Sequence, residues 1–490
     1  MFLRTREAAV VAALGVAALA LFLLAPTYPN YDAYYHLVWG RELVHGITPT
    51  FEAYQAPTEH PLYIAIAAVL GVVFGSHADR ALVGLGALSL VWLAWATWRV
   101  GRACFGTWAG LLAGLFVASS FAFLLYAARA YDDVPFLALV LTAAMVEAET
   151  PAEASDERRR RRSRAVLGVL VFAGLLRPEA WVLGGLYWLW RGWRRFDLLA
   201  LACVAPLTWA LVDALVTGDP LHSLHATSGL ADELGRARGI GAVPGSFVRF
   251  VFDVSRPPVA VAGVLGLAFA LLVTRPGGAA RGVALPGLRA LRLGDALPSV
   301  RALQVPLALL LAGTITFVAS GAAGLSVLPR YLTVPVVALC LFAGHAVAVL
   351  GRDRRLLTAM VVVGLAFLGL KAGSFSKLHT ELSFIRTTHR DLTATLNDPR
   401  VQRARACGPV TLPNYRLTPD TKWALDSEAV GARSARRRDA GVALYLVGTK
   451  PIQRYGRADG ASPATNVTVD HGFVPIARHG MFVAYAACPR

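Results

Sequence analysis

A chain of 490 residues that is 56% hydrophobic and only 16% charged, with a mean hydropathy of +0.53, lacks the polar surface a soluble protein of this size needs. Its formal net charge of +17 does not signal nucleic acid. Basic residues gather in runs such as "ERRRRRSR" at 157–164, which flank apolar segments and suit anionic leaflet lipids.

Crossing ~30 Å of hydrocarbon takes about 20 mostly apolar residues. The first such segment is 8–25. Directly after it comes "PNYDAYYHLVWGREL" at 29–43, which sets Asp32 among three tyrosines and a histidine at a membrane boundary. Two readings compete for Asp32: a solvated loop acid inside an interfacial aromatic belt, or a carboxylate held at the membrane surface for catalysis. The same loop continues with "APTEHPLYIAIAAVLGVVFG", where Thr58, Glu59 and His60 precede Pro61. The run 61–75 is short for a span and predicts a helix lying at the interface.

Apolar segments follow at 82–98 and 107–126, and the latter emerges into "YAARAYDDVPFLALV". That stretch places Arg129, Asp132 and Asp133 ahead of the span 134–148, with Pro135 suited to its first turn. Residues 165–190 are apolar but interrupted by Arg177, Pro178 and Glu179, which predicts a tight helical hairpin whose irregular tip is shielded by protein. Arg177 and Glu179 are expected to pair with each other there. After 198–216, "GDPLHSLHATSG" offers His222 and His225 without a third metal ligand. Spans at 257–274, 303–320, 331–350 and 356–372 complete about eleven membrane helices, and "SVLPRYLTVP" sets Arg330 and Tyr331 at the end of a late one.

Lys and Arg are concentrated in alternate connecting segments, which places the N-terminus in the cytoplasm. Asp32, Asp132, Asp133, Arg330 and the region after 372 then lie outside. That region changes character: 376–397 reads as an amphipathic helix, and "GVALYLVG" and "GMFVAYAA" read as short strands. The expected organisation is a transmembrane domain over 1–372 and a small extracytoplasmic α/β domain over 373–490. Cys407 and Cys488 bracket this domain and are positioned for a disulfide in an oxidising compartment. Cys104, Cys203 and Cys340 lie in or beside membrane segments as packing residues.

Taken in order, these motifs resemble the integral-membrane glycosyltransferases of the GT-C superfamily: an Asp just after span one, a "HPL" run entering an interfacial helix, a second outer acid before "VPF", and a late "RYL". The resemblance covers roughly 1–350 and is nearest to the protein O-mannosyltransferases and the lipid A aminoarabinose transferases. Many relatives carry two prolines after the histidine where this chain has "HPL". The resemblance implies transfer of a sugar from a polyprenyl-phosphate donor to an envelope glycan, lipid or protein acceptor. It implies catalytic roles for Asp32 and Asp133, and phosphate contact for Arg330. Arg129, His60, Tyr331 and Asp132 stand beside them as substrate-binding candidates.

Sugar transfer needs a base on the acceptor hydroxyl and a counter-charge for the departing phosphate, which a carboxylate and an arginine supply. A monophosphate leaving group requires no cofactor, although the paired Asp132 and Asp133 have the chemistry to hold a divalent cation. The rival class is a transporter or lipid-linked sugar flippase. It would place charges near the bilayer midplane, whereas here they gather at the ends of spans. No partner is expected among nucleic acids.

Overall fold

The structure, a computed structural model, describes residues 5–151, 153–233, 235–273, 298–427, 429–432, 439–455, 469 and 471–488. Sixteen helices run from the N-terminal side in the order α1 (Thr5–Leu24), α2 (Tyr31–Val44), α3 (Pro61–Phe74), α4 (Ala78–Phe105), α5 (Thr107–Ala118), α6 (Phe121–Ala128), α7 (Asp133–Ala148), α8 (Asp156–Leu176), α9 (Glu179–Gly192), α10 (Phe196–Thr217), α11 (His222–Glu233), α12 (Val243–Ser255), α13 (Pro257–Val273), α14 (Val300–Ala322), α15 (Thr333–Leu350) and α16 (Arg354–Leu396). Short helices α17 (Pro399–Ala404), α18 (Thr418–Leu425) and α19 (Thr449–Tyr455) alternate with strands β1 (Val410–Leu412), β2 (Val430–Ala432), β3 (Gly441–Leu446), β4 (Val474–His479) and β5 (Phe482–Ala487). Two compact units result: Met1–Phe22, Gly84–Val212 and Ala237–Leu378 form one, and Leu23–Val83, Asp213–Arg236 and His379–Arg490 form the other.

The first unit is helical. Among the described residues of the chain, six helices are long and apolar enough to cross a membrane, or eight if each of two bent pairs is taken as one span; the protein is a multi-pass membrane protein. The segment predicted as one span over 107–126 is α5 and α6, bent by 54° at Ser119 and Ser120. The predicted hairpin is α8 and α9, broken at Arg177 and Pro178. At the centre lies α15, with almost every residue buried. An added Cβ on its Gly344 would meet the Ala109 carbonyl of α5, and one on Gly266 of α13 would meet the Phe342 carbonyl of α15. Small residues are what allow helix backbones this close, the usual packing currency where water supplies no hydrophobic drive.

Two helices depart from the sequence-based expectation. Residues 31–44 are a helix rather than a loop: Asn30 caps it by accepting from the Ala33 N–H at 2.8 Å, and ten consecutive or near-consecutive residues from Asp32 to Glu42 are buried. Burial on every side erases the one-sided apolar stripe by which amphipathic helices are recognised. Residues 356–372 and 376–397, expected as separate elements, are one 43-residue helix, α16, since the intervening "AGSFS" contains no proline to end it. The run 61–75 is α3, which exposes Val69, Val72, Val73 and Phe74 and forms part of a candidate span over Pro61–Phe105.

The C-terminal sheet has strand order β2-β1-β3-β5-β4, with β1 parallel to β2 and β3, and β5 antiparallel to β3 and β4. The two strands expected from "GVALYLVG" and "GMFVAYAA" are β3 and β5, paired from Gly441–Ala487 to Leu446–Phe482. Leu392 and Leu396 of α16 enter the same core as Val401, Leu412, Leu444 and Phe482. Cys407 and Cys488 form a disulfide with Cα atoms 4.9 Å apart. Cys104, Cys203 and Cys340 are free, and Cys104 and Cys340 are buried.

Candidate functional site

In the second unit, Asp32 sits in the first turn of α2, 8% exposed, where the helix N-terminus favours negative charge. Its backbone carbonyl accepts from Nδ1 of His36, one turn later, at 2.5 Å. The His36 ring lies 5.2 Å from that of His60 and edge-on to Tyr63 at 5.1 Å, and Trp39 packs against Phe51 at 4.9 Å. His60 is the N-cap residue of α3, with Pro61 at its first position. The fold therefore buries Asp32 in the first turn of a helix, and the solvated-loop reading does not describe it.

Glu59, next to His60, was passed over as a site residue at the level of sequence. It is 1% exposed. The Ser223 hydroxyl lies 2.8 Å from Glu59 Oε2 and 3.0 Å from Asp213 Oδ1, while the Ser223 N–H donates to Asp213 Oδ2 at 2.9 Å. A serine hydroxyl carries one hydrogen. The two carboxylates therefore share a single hydroxyl hydrogen. Burial pushes the Glu59 carboxyl up to about 7, which keeps a proton available near neutrality. His222 Nε2 approaches Glu59 Oε1 at 3.3 Å, and His225 Nδ1 instead meets Asp219 at 2.7 Å. The two histidines thus serve different acids. Among the described residues no group of three or more His, Cys, Asp or Glu side chains is placed to hold a metal ion.

In the first unit, α7 begins at Asp133, which is fully buried, and Asp132 before it is 2% exposed. The Arg177 guanidinium, at the hairpin tip, donates from Nη1 to Asp133 Oδ1 and from Nη2 to Glu179 Oε1 at 2.5 Å. The expected Arg177–Glu179 pair is present, and Asp133 joins it from 44 residues away. Asp133 Oδ2 and Glu179 Oε2 have no hydrogen-bond partner among the described residues, so each acid keeps one acceptor oxygen unspent. The Arg177 guanidinium also lies 5.5 Å from the Tyr331 ring centre, and Arg330 lies 5.8 Å from the same ring. Tyr331 therefore brings the late "RYL" motif to the acidic cluster. Arg129 caps the C-terminal end of α6. Ala130 follows with φ 49°, a left-handed conformation that a residue with a Cβ adopts at a cost of about 1–2 kcal/mol. The strained turn immediately precedes Asp132 and Asp133.

The bundle of apolar helices followed by a small mixed sheet is a fold that solved structures also adopt. Solved structures of ArnT from Cupriavidus metallidurans share it: the form bound to undecaprenyl phosphate matches over 100% of both chains with TM-score 0.60 and 14% identity, and the apo form over 99% of both with TM-score 0.55. The Archaeoglobus fulgidus oligosaccharyltransferase tethered to an acceptor peptide matches 98% of this chain and 74% of its own with TM-score 0.52 and 10% identity. No protein-family model and no curated protein matches the sequence. At such identities the likeness establishes the fold.

Proposed function

We propose that this protein is a glycosyltransferase that moves a sugar from a polyprenyl-monophosphate carrier to a hydroxyl of an envelope glycan, lipid or protein. The observation that carries the reading is the burial of Asp32 in the first turn of α2, one turn before His36, within a GT-C fold. The undecaprenyl phosphate in the ArnT structure and the acceptor peptide in the oligosaccharyltransferase structure support a lipid-phosphate donor and a separate acceptor. The N-terminus is assigned to the cytoplasm, and the 373–490 domain and both acidic clusters to the outer face, on the distribution of Lys and Arg.

In this reading the acceptor oxygen attacks the anomeric carbon as the bond to the carrier phosphate breaks. The acceptor proton passes to Asp32, and the bonding electrons leave with the phosphate. One displacement with no enzyme-bound sugar inverts the anomeric configuration. Arg330 meets the phosphate with charge-assisted hydrogen bonds, and Arg129 contributes to substrate binding. Asp133 acts through its unspent oxygen, Asp132 lies beside it, and His60 and Tyr331 line the substrate. No step requires a divalent cation, and turnover is expected to persist in chelator.

Asp32→Asn keeps the size of the side chain and removes its basicity. It should lower turnover by roughly 10²–10⁴-fold, the contribution of a positioned acid–base group, while leaving donor binding and the thermal melt unchanged. Arg330→Ala should weaken donor binding and slow turnover together, because the phosphate is charged before and after transfer. The assay is single-product transfer from a polyprenyl-phosphate sugar by the purified protein. Wild-type turnover in Asp32→Asn would remove Asp32 from the chemistry.

A further inference from the structure

Two adjoining cavities of about 730 and 610 Å³ in the second unit share Asp79, His389, Thr393 and Asn397, and so form one cleft. Its volume is of the size that binds extended small molecules. One wall is a stripe on α16, where Ser383, Arg386, Arg390 and Thr393 recur at helical spacing over about 15 Å, with Asn397 just past the helix end. The other wall includes Arg41 of α2, with Trp423 and Asp426 at the end of α18. Arg41 follows Asp32 by nine positions, about 180° around a helix. The cleft therefore faces away from the side of α2 that carries Asp32.

We propose that this cleft binds an acidic glycan chain, as a second site that retains a polymeric acceptor while its end is being extended. The binding chemistry stands on the cleft alone; its use during transfer rests on the glycosyltransferase reading. Sugar hydroxyls both donate and accept, and the hydroxyls of Ser383, Thr387 and Thr393, the Asn397 amide and the two aspartates supply both. The Trp423 indole, with the Arg41 guanidinium 4.9 Å from its ring centre, adds an aromatic surface to the cleft wall. Four arginines, Arg41, Arg80, Arg386 and Arg390, stand against Asp79, Asp426 and Asp391, the last 3.5 Å from Arg390, and leave an excess of one positive charge for carboxylate, sulfate or phosphate groups on the chain.

Three of these arginines are already held in place. Arg80 donates to the carbonyls of Leu23 and Thr27 at 2.9 and 2.5 Å, and Arg386 to Ala25 at 3.3 Å. Arg41 donates to the Lys422 and Trp423 carbonyls at 2.9 and 3.0 Å and meets Asp426 at 2.9 Å. Cations fixed before the ligand arrives lower the ordering cost of binding. Donors spread along a strip, rather than closed into one nest, match a chain and not a single small anion.

The test measures binding of a fluorescent oligogalacturonate decamer to the full-length protein in nanodiscs made of neutral lipid. A maltodecaose of equal length, inorganic phosphate and vesicles of anionic lipid serve as competitors. The acidic decamer should bind at least about tenfold more tightly than the neutral one. The variant Arg386→Gln/Arg390→Gln, altered at two exposed positions, should bind it about 10- to 100-fold more weakly, the loss of two charge-assisted hydrogen bonds. Asp32→Asn should bind it as wild type does. Equal affinity for both glycans, full displacement by millimolar phosphate, preference for anionic vesicles, or undiminished binding by the double variant would each overturn the proposal. Wild-type protein that binds the decamer yet transfers no sugar removes the catalytic reading and keeps the cleft; transfer without binding does the reverse.

Discussion

In the first unit, Asp133 and Glu179 close on the guanidinium of Arg177; in the second, Glu59 and Asp213 close on the hydroxyl of Ser223. Each cluster buries two acids, and each must offset the loss of water around a charge. The first uses a fixed counter-ion, which stays charged at every pH a cell meets. The second uses a proton, which leaves as the solution becomes alkaline. The difference separates a cluster built to remain constant from one that titrates near neutrality, although both look alike as pairs of carboxylates.

The largest expected effect tests the fixed counter-ion. Arg177→Met leaves two acids buried without compensation and should cost about 3–5 kcal/mol of stability. Adding Asp133→Asn and Glu179→Gln to that variant should recover most of the loss. Chemical denaturation of the full-length protein in detergent reads both. An unchanged midpoint in Arg177→Met would mean that the arginine does not hold the cluster, and the contrast with Glu59 would disappear.

Next in size is the titrating cluster. The Glu59 carboxyl is held up at about 7 in the folded protein, against 4.5 for the free group. Below pH 4.5 both states are protonated and the group contributes nothing. Between 4.5 and 7 the unfolded chain has released a proton that the folded chain keeps, so stability falls as pH rises, and above 7 the full penalty is present. Its upper size is about 3 kcal/mol. Glu59→Gln carries no charge to bury and should flatten this part of the profile, gaining stability above pH 7 and little below 4.5. Melts at pH 4.5, 6 and 8 compare the two proteins, and parallel curves would show that Glu59 does not titrate there.

Ser223→Ala probes the same cluster more gently. It deletes the shared hydroxyl and should cost about 1–3 kcal/mol, the price of leaving a buried polar group unsatisfied. The penalty should be greater at pH 8 than at pH 5, because two ionised acids repel when the serine between them is gone. An equal loss at both pH values would show that the serine fills space and shares no proton. The smallest effect belongs to the strained turn before Asp132: Ala130→Gly should gain about 1 kcal/mol, since glycine accepts φ 49° without penalty.

Some of this was readable in the residues. The hairpin tip announced itself by Arg177-Pro178-Glu179 in an apolar run, and β3 and β5 by short apolar stretches between turn residues. The pairing of Cys407 with Cys488 followed from their positions around one domain. What stayed hidden depends on distant partners. Nothing near Glu59 indicates Ser223, 164 residues on, and nothing near Asp133 indicates that Arg177 would reach back to it. Helix α2 was hidden for another reason: buried on all sides, it has no periodicity to read, and its one local signal was Asn30 at the cap.

The place of β5 in the sheet has a consequence for how the protein tolerates shortening. The strand latest in sequence is an interior one, hydrogen-bonded to β3 on one side and β4 on the other. A cut before Phe482 would unpair one side of β3 and strand β4, leaving two open edges of the kind that recruit other chains into aggregates. It would also take away Cys488 and with it the covalent tie to Cys407. Affinity tags and proteolytic trimming at this end should therefore be judged by whether β5 survives, and loss of solubility is the expected sign that it has not.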